Sequence, residues 1–373
     1  MCYEIQVKSQ SVLRVGINQL INVMTRPTAG QLGELNKLPG LRLAASQERP
    51  EMCEVLDTEH NSVIMREHQK ILNYIHDLKF CAAHMRKGHL AEMVKSATKF
   101  GSCITVLVEE MLSSKVGQIV SSLNSPSVTA GQVESCLVSI TSLGLEGNHL
   151  CRLMTKHGAV SLLVHLLSTS EQRTVRAATL RALATLCSVL EAIRQLEEVR
   201  GVEVIAKLLS DLAVTESERA EAAGVLAQVT SPWIEDNDYV LGVTENAFNL
   251  VKNLTELCRN TRCDETFLLG SAALANLSFL SPLILTAMSS QDTVRTLLKY
   301  LSRTVSPSIY IQDQVATVIA NMAARQDTQE SLLSCNLVNV LLHLLAANPT
   351  TEDLPVLAAT QRVQQKAAIA IGR

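Results

Sequence analysis

The stretch Phe267-Leu268-Leu269-Gly270-Ser271-Ala272-Ala273-Leu274-Ala275-Asn276-Leu277-Ser278 decides the fold, because its second half recurs along the chain. The recurring pattern is apolar, Leu or Ile, small, polar, apolar. It stands at Ala273–Leu277, Ala182-Leu183-Ala184-Thr185-Leu186, Val225-Leu226-Ala227-Gln228-Val229 and Val318-Ile319-Ala320-Asn321-Met322. A looser copy, Ser139-Ile140-Thr141-Ser142-Leu143, opens with serine, and a last one begins at Ala368-Ile369-Ala370-Ile371. The second positions are 140, 183, 226, 274 and 319, so the steps are 43, 43, 48 and 45. A second pattern keeps phase with the first. It reads Gly158-Ala159-Val160-Ser161-Leu162-Leu163-Val164-His165-Leu166-Leu167, returns at Gly201-Val202-Glu203-Val204-Ile205-Ala206-Lys207-Leu208-Leu209, and has weaker copies from Asn246, Asp292 and Asn336. Two registers that drift together are far harder to obtain by chance than one.

Composition agrees with a helical repeat array. Apolar residues are 47% and charged ones 18%, enough for a packed core. Aromatics are 3% of the 373 residues, so that core is aliphatic. The 16 glycines and 9 prolines are too few for the many turns of an all-β chain. A net charge of −3 with so few stacking aromatics argues against nucleic acid as a partner. No run of about 18 apolar residues exists, so no direct membrane insertion is expected, and Met1-Cys2-Tyr3-Glu4 lacks a secretory leader's order. The ten cysteines form no CxxC pair. Several, such as Cys136 and Cys187, sit in apolar periodic stretches as small buried hydrophobes, which points to a reducing, cytoplasmic setting.

A period in the low-to-middle forties with helical spacing resembles the armadillo and HEAT repeats, and the details resemble armadillo. Gly-apolar-x-x-Leu-x-x-Leu-Leu at Gly158 and Gly201 matches its second helix, and Ala272-Ala273-Leu274-Ala275-Asn276-Leu277 its third. The expected fold is all-α: an armadillo-like right-handed superhelical solenoid preceded by a helical N-terminal bundle. One unit cannot bury both of its faces, so stability comes from stacking. Three regions follow. Residues 1–50, with Pro27, Gly30, Gly33, Pro39, Gly40 and Pro50, read as an N-terminal segment and linker. Residues 51–125 read as a helical bundle capping the first repeat, with stripes Ile64, Ile71, Ile75, Leu78 and Met111, Leu112, Val116, Ile119, Leu123. Residues 130–373 read as about five repeats, the last truncated. Pro232 and Pro282 are placed to stop third helices. Two insertions, Ser231–Glu245 with Trp233, Glu235, Asp236 and Asp238, and Asn348–Gln361, are expected to be surface loops.

Motifs for chemistry are scarce. No phosphate-binding loop, dinucleotide fingerprint, HExxH or GxSxG occurs. Ser96-Ala97-Thr98-Lys99 matches a bare Ser-x-x-Lys without its companions. His60, His68, His76 and His84 recur every eight residues, an offset of about 80° per step, so they spiral rather than converge. His149, Cys151 and His157, and Cys258-x4-Cys263, lack suitable ligand geometry. Asn253 and Asn276 head glycosylation sequons inside predicted helices. The expectation is no enzyme, no metal and no cofactor. The more informative set is a polar ladder: Ser142, Thr185, Gln228, Asn276 and Asn321 hold one equivalent position on successive third helices. In an armadillo array these helices line the concave groove, where amides can hold an extended chain through its backbone. Arg181, Glu221 and Gln314 lie one or two turns upstream on or near that face. The plainer reading is solvated polar positions on amphipathic helices.

Longer stretches carry a closer resemblance. They are Arg219-Ala220-Glu221-Ala222-Ala223-Gly224-Val225-Leu226-Ala227-Gln228-Val229-Thr230-Ser231-Pro232, then Phe267–Leu277, then Arg362-Val363-Gln364-Gln365-Lys366-Ala367-Ala368. Gly144-Leu145-Glu146-Gly147 leading to Leu150-Cys151-Arg152, and Gln195-Leu196-Glu197-Glu198-Val199-Arg200-Gly201-Val202, add to them. Together they are similar to the Inscuteable family of asymmetric-division adaptors, well over 130–373 and loosely over 59–123. The resemblance implies a non-enzymatic scaffold. It would link the Par polarity complex, through a Bazooka-type PDZ scaffold, to the TPR protein Partner of Inscuteable, orienting the mitotic spindle from the apical cell cortex. The family's TPR-binding element is a short helix followed by an extended acidic segment. Met1–Ser9 resembles the tail of that element, which makes Cys2, Tyr3, Glu4, Ile5 and Gln6 candidate TPR contacts. The helix before it is absent, and the chain stops at Ile371-Gly372-Arg373 rather than on an apolar PDZ ligand. It therefore reads as a fragment, truncated isoform or partial gene model, with Ile369 and Ile371 on an uncovered, adhesive repeat end. The competing reading is an importin-like peptide carrier, disfavoured because such carriers pair groove asparagines with tryptophans and Trp233 sits in a loop. A helical enzyme would require a cleft of convergent titratable groups.

Overall fold

The computed structural model describes residues 65–76, 90–125, 128–234, 237, 241–304, 306–333, 337–347 and 353–373. Among these, every regular element is helical. The chain divides into two compact units at Ser122.

In the N-terminal unit, helical residues 65–76 (α1) and the long helix Leu90–Ser122 (α2) share a small core of Ile71, Ile104 and Leu107, with Ile75 and Phe100 packed on it. Ile71 and Ile75 thus play the part their spacing suggested, and Ile64 and Leu78 lie outside the described residues. In the second stripe Val116 is buried, whereas Met111 is exposed. Glu67, buried on α1, accepts from Lys70 Nζ at 2.7 Å, so its charge is neutralised locally.

The second unit is a stack of helical triplets behind one leading helix, Ala130–Leu145 (α3). The first triplet is Asn148–Lys156 (α4), Ala159–Thr169 (α5) and Arg173–Leu186 (α6). The second is Leu190–Glu198 (α7), Gly201–Ser210 (α8) and Glu216–Val229 (α9). The third is Leu241–Glu245 (α10), Ala247–Asn260 (α11) and Asp264–Leu277 (α12). The fourth is Pro282–Ser290 (α13), Thr293–Arg303 (α14) and Ile309–Ala323 (α15). The fifth is Gln326–Leu333 (α16), Leu337–Leu345 (α17) and Leu354–Gly372 (α18). The ladder pattern falls at the C-terminal ends of α3, α6, α9, α12 and α15, and the second pattern falls at the starts of the second helices. Each third helix packs along the next, so α3, α6, α9, α12, α15 and α18 form one continuous row. Burial explains the row: Leu183, Leu186, Leu226, Leu274, Leu277, Val318 and Ile319 are wholly enclosed. Each such side chain contributes about 1.5–3 kcal/mol on leaving water.

The junction between first and second helices shows how one period is met by different residues. In the first, second and fourth triplets it turns on a single left-handed residue, Gly158 at φ 78°, Arg200 at φ 53° and Asp292 at φ 53°, whereas Asn246 makes the third at φ −99°. Gly158 takes that conformation without the steric cost that Arg200 and Asp292 bear. Gly201, its partner in the sequence pattern, is required for space instead. A Cβ there would lie 2.3 Å from Leu196 Cδ1.

Several expectations need correction. Pro282 opens α13 instead of ending α12, because a first-turn proline loses no helical hydrogen bond. The insertion 231–245 contains a one-turn first helix, α10, whose Gly242 N–H is received by Glu197 Oε1 at 2.8 Å. The expected loop 348–361 is helical from Leu354, with Pro355 in the first turn of α18. Cys187 is fully buried and its thiol is pushed up to about 12 by burial, as a small hydrophobe's would be, but Cys136 is only half-buried. Ile369 and Ile371 are exposed.

Candidate functional site

The outward wall of the third-helix row carries the polar ladder. Ser142 and Arg181 are exposed, and Thr185, Glu221, Gln228, Asn276, Gln314 and Asn321 are half-buried. The sequence argument left open whether the ladder amides were free. The structure shows each reaching back one triplet. Gln228 Nε2 donates to Cys187 O at 3.5 Å, Asn276 Nδ2 to Ala227 O at 2.7 Å, and Asn321 Nδ2 to Ser278 Oγ at 2.7 Å. Each acceptor belongs to the final turn or cap of the preceding third helix. The Cys187 and Ala227 carbonyls lie where a helix leaves its last carbonyls without an internal partner, so a donor from the next unit satisfies them, whereas Asn321 meets the hydroxyl of the Ser278 cap. Each amide keeps a second N–H and its carbonyl oxygen. Thr185 turns inward instead: its hydroxyl donates to Arg181 O, one turn back.

Arg181 and Glu221, predicted as separate contacts, form an ion pair across α6 and α9. A second, deeper pair lies beside it. Arg176 Nε donates to Glu218 Oε1 at 2.7 Å, and Arg176 Nη1 donates to Ser170 O. Glu218 is 1% exposed. Burial alone would raise its pKa. The Thr215 hydroxyl and backbone N–H, followed by Arg176, outweigh burial and hold the carboxyl below its usual range. The same carboxylate closes a capping box with Thr215, so one side chain starts α9 and ties it to α6. At the far end of the row Asp313 accepts from Arg362 Nε at 2.9 Å and Lys366 Nζ at 2.6 Å, joining α15 to α18.

These structural pairs were missed from sequence, although they carry a signal: the partners lie roughly one period apart, as Arg176 with Glu218, Glu134 with Thr174 and Asp313 with Arg362 do. Opposite charges at the repeat lag would have found the Arg176–Glu218 and Asp313–Arg362 pairs, though not Glu134 with the neutral Thr174.

Two surface depressions lie along the second helices. One is lined by Glu203, Lys207, Glu245 and Asn249, the other by Arg176, Lys207 and Asp211, where Arg176 is already engaged with Glu218. Among the described residues no cluster of His, Cys, Asp or Glu is arranged to hold a metal, and no helix is long and apolar enough to cross a membrane. His68, His76 and His149 are exposed and His157 half-buried. His60 and His84 lie outside the described residues, as do Cys2, Tyr3, Glu4, Ile5 and Gln6.

Comparison with known proteins extends this geometry. Residues 52–373 match the family model described as "Protein inscuteable C-terminal". The chain is 33% identical over 293 residues to "Protein inscuteable homolog" from Homo sapiens, covering 78% of this chain and 50% of that protein. The Mus musculus homolog is 32% identical over the same shares. The chain thus spans about half the length of the curated relatives it matches. Among solved structures, one of computationally designed armadillo repeat proteins for modular peptide recognition superposes with a TM-score of 0.56 at 22% identity, over 69% of this chain and 98% of that one. That likeness is one of fold: an armadillo-like all-α solenoid.

Proposed function

This chain belongs to the inscuteable C-terminal family, and we propose from that premise that it is a non-catalytic adaptor whose third-helix wall is a peptide-binding groove. The adaptor class follows from the family and the repeat fold together. The finer reading is that the protein joins a TPR protein of the Partner of Inscuteable type to a Bazooka-type Par scaffold. It would do so in the cytoplasm and at the apical cortex, and so orient the mitotic spindle during asymmetric division. One observation carries the groove: along a continuous row of six helices Ser142 and Arg181 are exposed, and Gln228, Asn276 and Asn321 are half-buried with one amide bond each to the preceding helix. Their spare amide groups suit the backbone of an extended chain. Glu221 and Gln314 extend the wall, and Cys2–Gln6 remain the proposed contacts for the TPR partner.

The test is direct binding of the purified full chain to the TPR protein and to the PDZ scaffold, compared with a Gln228→Ala, Asn276→Ala, Asn321→Ala triple variant. The reading expects partner affinity to fall about tenfold or more with helical content unchanged. Unchanged affinity for both partners would remove the groove from the function.

A further inference from the structure

Two arginines at the same repeat position, Arg176 of α6 and Arg362 of α18, are used differently. Each stands nine residues before the ladder position of its helix, Thr185 and Ile371. Arg176 is fully engaged. Its Nε donates to Glu218 Oε1 and its Nη1 to the carbonyls of Ser170 and Glu171, and 19% of the side chain is exposed. Arg362 keeps 45% exposure, and among the described residues its side chain makes one bond, from Nε to Asp313 Oδ2. Its Nη1 and Nη2, with four N–H groups, stay available. Asp313 also receives Lys366 Nζ at 2.6 Å, so two cations share one carboxylate.

Among the described residues no other junction of the row is charged this way. Between α6 and α9 two arginines meet two glutamates, and no ion pair crosses from α9 to α12 or from α12 to α15. Between α3 and α6 Glu134 receives the Thr174 hydroxyl. Helix α18 itself carries Arg362 and Lys366 and no acid. The excess cation lies on the ladder's own stripe. Asp313, Thr317 and Asn321 follow at every fourth residue of α15, and Lys366 Nζ also donates to Thr317 Oγ1 at 2.6 Å. Gln361 and Gln365 are exposed on α18 on either side of Arg362.

We infer that the junction of α15 with α18 anchors an acidic side chain of an extended partner segment lying in the groove. The ligand's carboxylate meets Arg362 Nη1 and Nη2 as a fork, with Lys366 as the second cation. The ligand's backbone runs on past Asn321 and Asn276. Arg362 and Lys366, at 45% and 26% exposure, are partly withdrawn from water, which strengthens their attraction for an opposite charge. This rests on the groove reading and gives its ligand a charge and a direction, with the acid at the α18 end.

The probe is a dye-labelled decapeptide of alternating Glu and Ser, with Gln-Ser and Lys-Ser analogues, titrated into the full chain and read by anisotropy. Ten extended residues span about 33 Å and packed helices stand about 10 Å apart, so the probe reaches from α18 to α9. The Glu peptide should bind, and both analogues should bind about tenfold more weakly or worse. Arg362→Ala should weaken the Glu peptide about tenfold with little change in melting temperature, because Lys366 still holds Asp313. Lys252→Gln removes the same charge from an exposed site on α11 and should leave the affinity unchanged. No binding, equal binding of the analogues, full affinity in Arg362→Ala, or an equal loss in Lys252→Gln would each overturn the anchor. The Gln228→Ala, Asn276→Ala, Asn321→Ala variant separates the two readings. Peptide binding lost in it but retained in Arg362→Ala removes the anchor and leaves the groove. Binding lost in Arg362→Ala but retained in the triple variant keeps the anchor and removes the amide groove. Binding retained in both removes both.

Discussion

The junction of α6 with α9 and the junction of α9 with α12 are one period apart, and they are held by different forces. The first is crossed by two ion pairs, Arg176–Glu218 and Arg181–Glu221. Among the described residues no ion pair crosses the second. There the aliphatic faces of α9 and α12 meet, with Gly224 beside Leu269 and the Asn276–Ala227 bond at the end. The difference teaches what charge does in a repeat array. Where the charges of neighbouring helices satisfy one another, the wall is closed to an ionic ligand. Where the contact is apolar, packing and one amide bond do the joining instead.

The apolar side is where the comparison can be broken hardest. Phe267 of α12 is fully buried and stacks on Tyr300 with ring centroids 3.6 Å apart. Phe267→Ala should cost about 3–5 kcal/mol, the loss of transfer energy plus an unfilled cavity. Chemical denaturation of the full chain measures it. A cost below about 1 kcal/mol would mean that stacking of α12 is not what holds the third and fourth triplets.

The charged side should show its nature through pH. Glu218→Gln leaves Arg176 largely buried without its counter-charge, and the expected loss near neutral pH is about 2–3 kcal/mol, discounted because Arg176 keeps 19% exposure. Glu218 has a lowered folded pKa, so its stabilising effect is present above the unfolded carboxylate value of about 4.3 and fades as pH falls through the folded value. The gap between wild type and Glu218→Gln should therefore narrow on acidification from neutral pH to about 3. A gap that stays constant over that range would show that the carboxylate's charge does not hold α6 to α9. Phe267→Ala, by contrast, should cost the same at both ends of the range.

How much of this was legible beforehand differs by force in the same way. The triplet stack was visible because burial is periodic: Leu183, Leu226, Leu274 and Ile319 repeat at the lag that places them in one layer. The helix boundaries were less visible. Pro282 and Pro355 mark starts, and nothing in Ser231–Glu245 signals that Leu241–Glu245 will turn once before α11. The candidate wall was placed by the ladder, but its bonding was not. An amide at a fixed position looks the same in sequence whether it waits for a ligand or caps the helix before it. That choice depends on how closely adjacent third helices approach, which small residues such as Gly224 and Ala227 permit but do not announce.

The smallest effect separates those two uses of an amide. Asn276→Ala removes a 2.7 Å bond to a carbonyl in the last turn of α9, whereas Gln228→Ala removes a 3.5 Å bond to Cys187 O. A bond at the shorter distance contributes about 1 kcal/mol net, and one at the limit of hydrogen-bond geometry contributes little. Asn276→Ala should therefore lower stability by about 1 kcal/mol and Gln228→Ala by about 0.3 kcal/mol or less. If the losses are equal, these contacts do not set the spacing of the row, and the ladder is only a solvated face. If they split as stated, Gln228 is the freer of the two amides. Its substitution then becomes the cleaner probe of ligand binding, because a drop in partner affinity there cannot be charged to a loosened stack.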